Sequence, residues 1–600
     1  MVDKRAQELI DLGNKLYREK VPYDGLCQEI AWQFAPDLAD FTRKMVLGEE
    51  WADHLTDSFP VQCSRDLSNA LSAMLRPKDR PWFKTSTMDD AIDKDENCSR
   101  FLEHVTKTIR KALYNPRSKF VRATKEADRF YVNFGMAVIE IDEDHDRQYL
   151  LFRSKHIRDC AWLENKNGDV DHMHIKDPLT ARQVMNLYRR NASRIHESIK
   201  EAADKEPNKV FDIRVLTMPR AEFDYDPSKG YRNDRSKPPF VRIHIDATNQ
   251  VILREEGRVA FPYIVPRWRK FAGFQYAFSE ATMPALSDAR MAQMMTHILL
   301  EAGEKAVNPP LVASEQAIRE GAALQAGAIT WADIETDQKI QEVLAPIQQV
   351  TGHMAVGFEM RKDIREMLAK SFFLDKLTLP EAGKNMTATE VQRRLEEHVR
   401  NLLPLFEPME VEYNTRILDT VFTYLRFMGK FDFGMMPPQL RGADISWVFE
   451  SPIQQAQDRL MVEQAKETWL LESMAMKLNP GMASATKADM VLRDAVRGIG
   501  GPAMWRKNEE EQAAEAQGKQ QAAMMQNMMQ MVGGGAEVAG KVGEAAQALR
   551  DGGVTPAAGQ GAEGDNPLAA LMGGMGGGGM AGDGIPLAPA DPSADLGVAA

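Results

Sequence analysis

The chain has 600 residues, of which 44% are hydrophobic and 27% are charged, a balance typical of a folded globular protein. Its formal net charge of -12 argues against tight, sequence-independent binding of nucleic acid, because such binding takes its free energy from lysines and arginines that displace counterions from phosphates. If DNA is a partner, its contact with this protein must be loose or local.

Neither a membrane span nor a targeting segment is predicted. No run of residues approaches the roughly 18 apolar positions that a membrane-spanning helix requires. The first residues, MVDKRAQELIDLGNKLY, have the pattern of an amphipathic helix with acidic side chains rather than that of a signal peptide. The four cysteines are far apart and form no CxxC pair, which predicts reduced thiols rather than disulfides or a zinc site. We therefore expect a soluble protein of a reducing cytoplasm.

The first 130 residues are predicted to be mostly helical, since leucines recur at helical spacing and prolines mark the breaks. The period changes near Phe134. Residues 137–154 (AVIEIDEDHDRQYLLFRS) alternate apolar and polar side chains around an acidic turn, as expected for a β-hairpin, and later segments such as VFDIRVLTM and FVRIHIDA continue the alternation. The sequence therefore predicts a β-rich module over residues 134–268.

Two long helices are predicted after this module, over residues 282–307 and 346–373, because each segment carries apolar side chains at helical spacing. The first helix is expected to end at Pro309 and Pro310, since proline cannot continue a helix. A short mixed segment, residues 311–345, is therefore held between two helices as a compact insert.

The segment after the second helix, residues 375–386 (DKLTLPEAGKNM), contains a proline and a glycine and is predicted to be an exposed loop. Thr387 and Glu390 have the spacing of a capping box that starts a very long helix, kinked at its prolines and ending near Met428. A further helical block follows. Residues 533–600 are rich in Gly, Ala, Met and Pro, which is typical of a disordered tail.

A nucleotide-binding loop is not predicted, which counts against an ATPase. The nearest candidate is Gly383 with Lys384, but Asn385 occupies the position of the Ser or Thr that would hold magnesium. Thr378 also stands where the first glycine of such a loop belongs. ATP hydrolysis by this chain is therefore not expected.

An acidic triplet imitates the start of a calcium-binding loop: Asp142, Asp144 and Asp146. Arg147 stands where the glycine of such a loop belongs, and Arg153 occupies the position of its bidentate acid. The favoured interpretation is therefore a solvated hairpin turn.

Two histidines, His172 and His174, would face the same side of a strand and could share a metal ion. Because no third ligand is evident nearby in sequence, packed or exposed histidines are the favoured interpretation and no metal is expected. The remaining acid–base candidates are interpreted as ordinary surface groups: Asp224, Asp226, Ser279 and Glu280.

Several strings follow one another in a fixed order between residues 65 and 457. They are RDLSNALSAMLRPKDRPWFKTS (65–86), FPYIVPRWRK (261–270), LSDARMAQMM followed by EKAVNPPLVAS (304–314), and MTATEVQRRLEEHV (386–399) leading to SPIQQAQ (451–457). Each string alone is common, but their joint order and spacing is specific. Together they resemble the head-to-tail connector, or portal, proteins of short-tailed double-stranded DNA bacteriophages, the podoviruses.

The resemblance implies an α+β fold, predominantly α-helical, that assembles as a ring. It implies these subdomains in chain order: a wing (1–278) that contains the β-rich module, a first stem helix (279–306), a clip (307–345), a second stem helix (346–374), a tunnel loop (375–386), a long kinked wing helix (387–450), a helical crown (451–532) and a low-complexity tail (533–600).

The resemblance also implies the function, a homododecameric ring at one capsid vertex through which double-stranded DNA is packaged and ejected. The implied partners are other copies of the chain, the DNA in the channel, the terminase large subunit, the major capsid and scaffolding proteins, and tail adaptor proteins. No membrane, metal, cofactor or enzymatic activity is implied. The expected location is the virion, with assembly in the host bacterial cytoplasm. Two alternatives remain open, an ATP-driven packaging enzyme and an internal scaffolding or core virion protein.

Three groups of residues receive roles in this scheme. The candidates for contact with DNA are polar side chains of the tunnel loop: Lys376, Lys384 and Asn385. Ordinary solvated loop charges are an equal alternative for the lysines. The candidates for docking the terminase or the tail lie on a predicted short helix of the clip: Glu315, Arg319 and Glu320. An ordinary solvated helix face is the favoured alternative for each of them taken singly.

The first stem helix combines two kinds of apolar side chain. Ring closure requires each stem helix to bury two sides, because the same interface repeats head to tail around the axis. Methionines are assigned to subunit contacts, and small residues accompany them in the same helix: Met291, Met294, Met295, Ala285, Ala289 and Ala292. An ordinary buried helix pair is the alternative.

Overall fold

The computed structural model divides the chain into two compact units, residues 1–508 and 509–600. The residues that it describes are 3–46, 48–143, 148–225, 236–307, 311–313, 344–346, 354–377, 409–432, 434, 436–449, 462, 465–474, 491–493, 495–496, 511, 514–515 and 517–525. The first unit mixes helices with antiparallel strands, and the described residues of the second unit are helical. Among the described residues no helix is long and apolar enough to span a bilayer.

The helices described in the first unit are α1 (Lys4–Phe34), α2 (Phe59–Leu75), α3 (Asp90–Lys94), α4 (Glu96–Leu113), α5 (Phe120–Phe134), α6 (Ala181–Leu187), α7 (Glu197–Lys205), α8 (Arg220–Phe223), α9 (Thr282–Val307), α10 (Met354–Ser371), α11 (Leu374–Leu377) and α12 (Arg416–Phe427). The strands are β1 (Phe83–Thr87), β2 (Val138–Glu143), β3 (Leu150–Lys155), β4 (Cys160–Glu164), β5 (Val170–Thr180), β6 (Val210–Pro219), β7 (Phe240–Asp246), β8 (Val251–Arg258), β9 (Tyr263–Ile264), β10 (Leu311–Ala313), β11 (Leu344–Pro346) and β12 (Ile445–Phe449).

The N-terminal part is mostly helical, as the leucine spacing predicts. Asp3 caps α1 by accepting a hydrogen bond from the backbone N–H of Arg5, and Asp95 caps α4 in a similar way. The apolar faces of α1, α2 and α5 pack into one large core. A strand that the sequence does not predict, β1, interrupts this part and pairs with β12, with Phe83 opposite Phe449.

Residues 134–268, which the sequence predicts to be β-rich, contain two antiparallel sheets together with α6, α7 and α8. β2 and β3 form the predicted hairpin, with Ile141 opposite Phe152, and β9 adds a third strand. The second sheet has the strand order β4-β5-β6-β7-β8. Alternate side chains of β7, such as Ile243 and Ile245, pack against Leu9 of α1, so the period of two along the strand gives this sheet an apolar face.

A buried ion network at the hairpin corrects the expectation for Asp142. This side chain is no solvated turn residue, because its carboxylate lies 3.2 Å from Arg242 and 2.9 Å from Arg258. Arg242 also pairs with Glu140, which is fully buried. Burial alone would raise the pKa of the Glu140 carboxyl, but the charges of Arg242, Lys155 and Arg153 together outweigh burial and hold the pKa well below its usual range. The other two aspartates of the triplet lie outside the described residues.

The two long helices predicted after the module are α9 and α10. α9 spans Thr282–Val307, as predicted. α10 is described over Met354–Ser371, within the predicted range. Between them β10 pairs with β11 in antiparallel fashion, with Leu311 opposite Pro346, which brings the two ends of the insert together. Residues 314–343 of the insert lie outside the described part of the chain.

The segment predicted as a loop from residue 375 begins instead with a helical turn. Residues Leu374–Leu377 form α11, in which the backbone N–H groups of Lys376 and Leu377 donate to the carbonyl of Phe373. Phe373 has a φ of 55°, in the left-handed region, and this separates the turn from α10. Residues 378–386 lie outside the described part of the chain.

The long helix predicted to end near Met428 is described from residue 409 onward. It contains a π-helical turn, Glu410–Thr415, and continues as α12, Arg416–Phe427, so the predicted end is confirmed. The predicted capping box at Thr387 and both kinking prolines lie outside the described residues.

Candidate functional site

α9 and α10 pack against each other as an antiparallel pair. Leu299, in the second half of α9, lies against Gly357, near the start of α10. Thr296, which precedes Leu299 in α9, and Arg365, which follows Gly357 in α10, both donate a hydrogen bond to the carboxylate of Asp57. Residues later in α9 therefore lie beside residues earlier in α10, which makes the two helices antiparallel. A Cβ built on Gly357 would lie 2.6 Å from Leu299 Cδ2, so glycine permits the close approach of the two helices.

Asp57 ties this helix pair to the N-terminal helices. Its side chain is 2% exposed, and its two carboxylate oxygens each accept a hydrogen bond of 3.0 Å from Arg365. The Thr296 hydroxyl donates to the same carboxylate at 3.1 Å. The Gln293 side-chain oxygen accepts from the backbone N–H groups of Thr56 and Asp57 at 2.8 Å. Both long helices are thus joined to the segment that leads into α2.

The small side chains of α9 are packing residues within the chain. Ala285, Ala289 and Ala292 are fully buried and recur every three or four residues, which places them on one face of the helix. They belong to the same apolar core as α1 and α5. The alanine face of the helix is therefore already covered inside a single chain.

A second set of apolar side chains on the same helices is exposed. On α9 this set includes Met291, Met294 and Ile298, and on α10 it includes Val356, Met360 and Met367, at spacings of three, four or seven residues that place them on one side of each helix. Met294 is 66% exposed, whereas Met295 packs against the core. A monomer would leave this surface, which we call the apolar helix face, in water. Exposed apolar patches of this kind mark surfaces that contact another protein.

One of the six side chains assigned to DNA contact and docking lies in the described part of the chain. Lys376 is exposed on α11, with its amine 5.3 Å from the centre of the Phe373 ring. The other five lie outside the described residues, and their roles stay predictions: Glu315, Arg319, Glu320, Lys384 and Asn385.

The two histidines of β5 are buried, as the favoured interpretation holds. Burial, with a smaller effect of the neighbouring His172, lowers the pKa of His174 to about 3. The two ring nitrogens of His172 lie 2.7 Å from Asp171 and 2.7 Å from Glu222. These three side chains could together hold a metal ion. Each ring nitrogen of His172 already lies at hydrogen-bond distance from a carboxylate, so the three side chains are partners of one another.

The other reactive groups that the sequence singles out have structural roles. Ser279 is buried; its hydroxyl donates to the carbonyl of Val132 at 2.6 Å and accepts from the N–H of Thr282 at 3.2 Å, at the start of α9. Asp224 lies 3.4 Å from the amine of Lys237. The four cysteines are buried and unpaired, as their spacing predicts.

Comparison with known proteins places these features in a family context. A family model described as Bacteriophage head to tail connecting protein matches residues 6–505. A protein of Bordetella phage BPP-1 named "Probable portal protein" is 25% identical over 497 residues, which cover 78% of this chain and 84% of that protein. The "Portal protein" of Salmonella phage epsilon15 is 22% identical over 419 residues, which cover 69% of this chain and 73% of that protein. Among solved structures, a chain of the "Virion of native gene transfer agent (GTA) particle" aligns with a TM-score of 0.31 and 9% identity over 74% of this chain and 95% of that chain.

Proposed function

The chain belongs to the bacteriophage head to tail connecting protein family and acts as a phage portal protein, and we propose that its copies form a homododecameric ring at one capsid vertex. The family match to residues 6–505 carries this proposal, because it spans the sheets, the α9–α10 pair and the anchor at Asp57. The ring would be the channel through which double-stranded DNA enters the head and later leaves it.

The apolar helix face supports assembly into a ring. A closed ring needs a heterologous interface, in which one side of each subunit meets a different side of the next. α9 has its alanine face covered within the chain and its methionine face exposed, so a second copy is a suitable cover for the exposed side. Methionine suits such a contact because its flexible, polarisable side chain adapts to an irregular neighbour.

The proposed subdomains follow the order implied by the family. Residues 1–278 would form the wing, α9 and α10 the stem, and the insert between them the clip. The pairing of β10 with β11 supports a clip that leaves and rejoins the stem at one place. The crown, proposed for residues 451–532, is supported by the helical residues described at 465–474.

The channel and docking roles are proposed by segment. The tunnel loop would bring Lys376, Lys384 and Asn385 to the DNA. The net charge of -12 supports a channel that lets DNA slide, because a basic lining would have to break many phosphate contacts at every step. The clip would dock the terminase large subunit and later the tail adaptor proteins through its charged residues: Glu315, Arg319 and Glu320.

Negative-stain electron microscopy of the purified full chain tests the proposal directly. We expect rings with a central hole wide enough for duplex DNA, formed without nucleotide and without ATPase activity, since no Walker loop is predicted. Met294→Glu should prevent ring formation, because a carboxylate would be buried against the neighbouring subunit. Met88→Glu is the matched control, since Met88 is 81% exposed and lies between β1 and α3. If only monomers form across buffers and concentrations, the ring is refuted. If the Met294→Glu variant still forms rings, the apolar helix face is not part of the interface between subunits.

A further inference from the structure

A strongly basic stretch lies on this acidic protein, in a part of the proposed wing to which no binding role is assigned above. Residues 104–125 contain seven lysines and arginines and no acidic residue, whereas the whole chain has a net charge of -12. The stretch comprises the second half of α4, a 3-10 turn at Pro116–Ser118 and the first turns of α5. Its cations are Lys107, Arg110, Lys111, Arg117, Lys119, Arg122 and Lys125.

The fold brings a further lysine to this stretch. An open depression of about 600 Å³ lies beside α4. Its cationic lining is Lys78, Lys107, Arg110 and Lys111. The Arg110 guanidinium donates to the backbone carbonyl of Lys78 at 2.8 Å, which holds the segment after α2 against α4. Tyr114 completes the wall beside these cations. We call the four lining cations the basic patch.

The charge of the basic patch is only partly neutralised by the protein. Within the part of the chain that the structure describes, neither Lys78 nor Lys111 has a carboxylate partner. Lys107 lies 2.7 Å from Glu103, but its side chain is 58% exposed. Arg110 and Lys111 sit in the last turn of α4, where cations are favourable beside the helix C-terminus. That position does not account for Lys78, which comes from a different segment, so the convergence favours an external anion.

We propose that the basic patch binds the phosphates of double-stranded DNA, as a contact separate from the tunnel loop. The proposal rests on the proposed function, in which duplex DNA is the polyanion that the protein handles. Lysines act as point charges toward phosphate oxygens and read no base, so the contact would be independent of sequence. Because the surrounding protein is acidic, the contact would be local and would weaken steeply as salt increases.

The test is binding of a fluorescein-labelled duplex of about 25 base pairs to the full chain, followed by anisotropy at several NaCl concentrations. The patch variant carries Lys78→Gln, Lys107→Gln and Lys111→Gln. We expect its affinity to fall at least about tenfold at low salt. The slope of log affinity against log salt should become less steep by roughly 2 to 3, because each of the three lost phosphate contacts reduces the magnitude of the slope by about 0.9.

The matched control removes the same charge elsewhere, at exposed lysines of the β-rich module: Lys166→Gln, Lys205→Gln and Lys209→Gln. The control should bind DNA like the wild type, and both variants should keep the wild-type unfolding temperature. Equal DNA binding by the patch and control variants would overturn the inference. The inference would also be overturned if the patch substitutions weakened binding to poly-glutamate but left binding to DNA unchanged. That result would indicate an acidic protein as the partner.

Electron microscopy of the same samples separates this inference from the proposed function. Rings that bind DNA equally well with and without the basic patch would refute the patch alone. A chain that forms no ring, yet loses DNA binding when the patch is changed, would refute the ring and support the patch.

Discussion

Replacing Asp128 by alanine should strongly destabilise the protein, because it would leave the guanidinium of Arg76 buried without a counterion. The side chains of Arg76 and Asp128 are 3% and 2% exposed and form an ion pair between α2 and α5. The Tyr413 hydroxyl also donates to Asp128 at 2.9 Å, and Arg76 donates to Asn414 at 3.1 Å. The pair therefore joins two N-terminal helices to the π-helical turn that precedes α12.

The expected loss follows from the burial of the pair. Burial alone would lower the pKa of Arg76, but Asp128 and Tyr413 together raise it above its ordinary value, so the arginine stays charged. Removing one partner of such a buried pair costs about 3 to 5 kcal/mol. Arg129 and Asp37 provide a matched exposed pair, with two contacts of 2.6 and 2.7 Å but side chains 39% and 40% exposed. An exposed pair contributes about 0.2 to 1 kcal/mol.

The measurement is the thermal unfolding temperature of the full chain and its two variants under one set of conditions. Asp128→Ala should lower it by about 5 °C or more, and Asp37→Ala by less than about 2 °C. Equal decreases for the two variants would refute the reasoning, since burial is the main difference between the two pairs.

Three further changes probe the helix pair, the half-buried His156 between β3 and β4, and the tunnel loop. Gly357→Leu should cost about 1 to 3 kcal/mol and reduce the yield of rings in micrographs, because the new side chain meets Leu299, whereas Gly303→Leu, with open space around it, should not. Burial lowers the pKa of His156 to about 4, so the unfolded chain takes up a proton first, and stability should fall as pH drops from about 6.5 toward 4. In the His156→Asn variant the amide oxygen can still accept the hydrogen bond from the backbone N–H of Arg158. The unfolding temperature of this variant should decrease less between about pH 6.5 and pH 4 than that of the wild type. Deleting Leu379–Lys384 should leave rings intact but lower the DNA retained in heads, and equal retention would mean that the loop is only a connector.

The sequence alone was sufficient wherever the signal is local. The helix at Thr282–Val307 has the predicted bounds, because apolar spacing and the prolines that follow act within a few turns of one segment. The hairpin of β2 and β3 was predictable for the same reason, since alternation and an acidic turn lie within one short stretch. The resemblance to portal proteins likewise rested on strings that can be found without knowing what they touch, and the family match confirms it.

The tertiary structure decided which distant residues meet. The pairing of Phe83 with Phe449 in β1 and β12, and the contact of Glu222 with His172, leave no mark on the spacing of either segment. The same holds for Asp142, whose arginine partners lie on strands that follow much later in the chain. The periodicity of a segment depends on the hydrogen bonds and the buried face of that one helix or strand. Contacts between distant segments depend instead on how the loops close and how the elements pack, and no single segment contains that information.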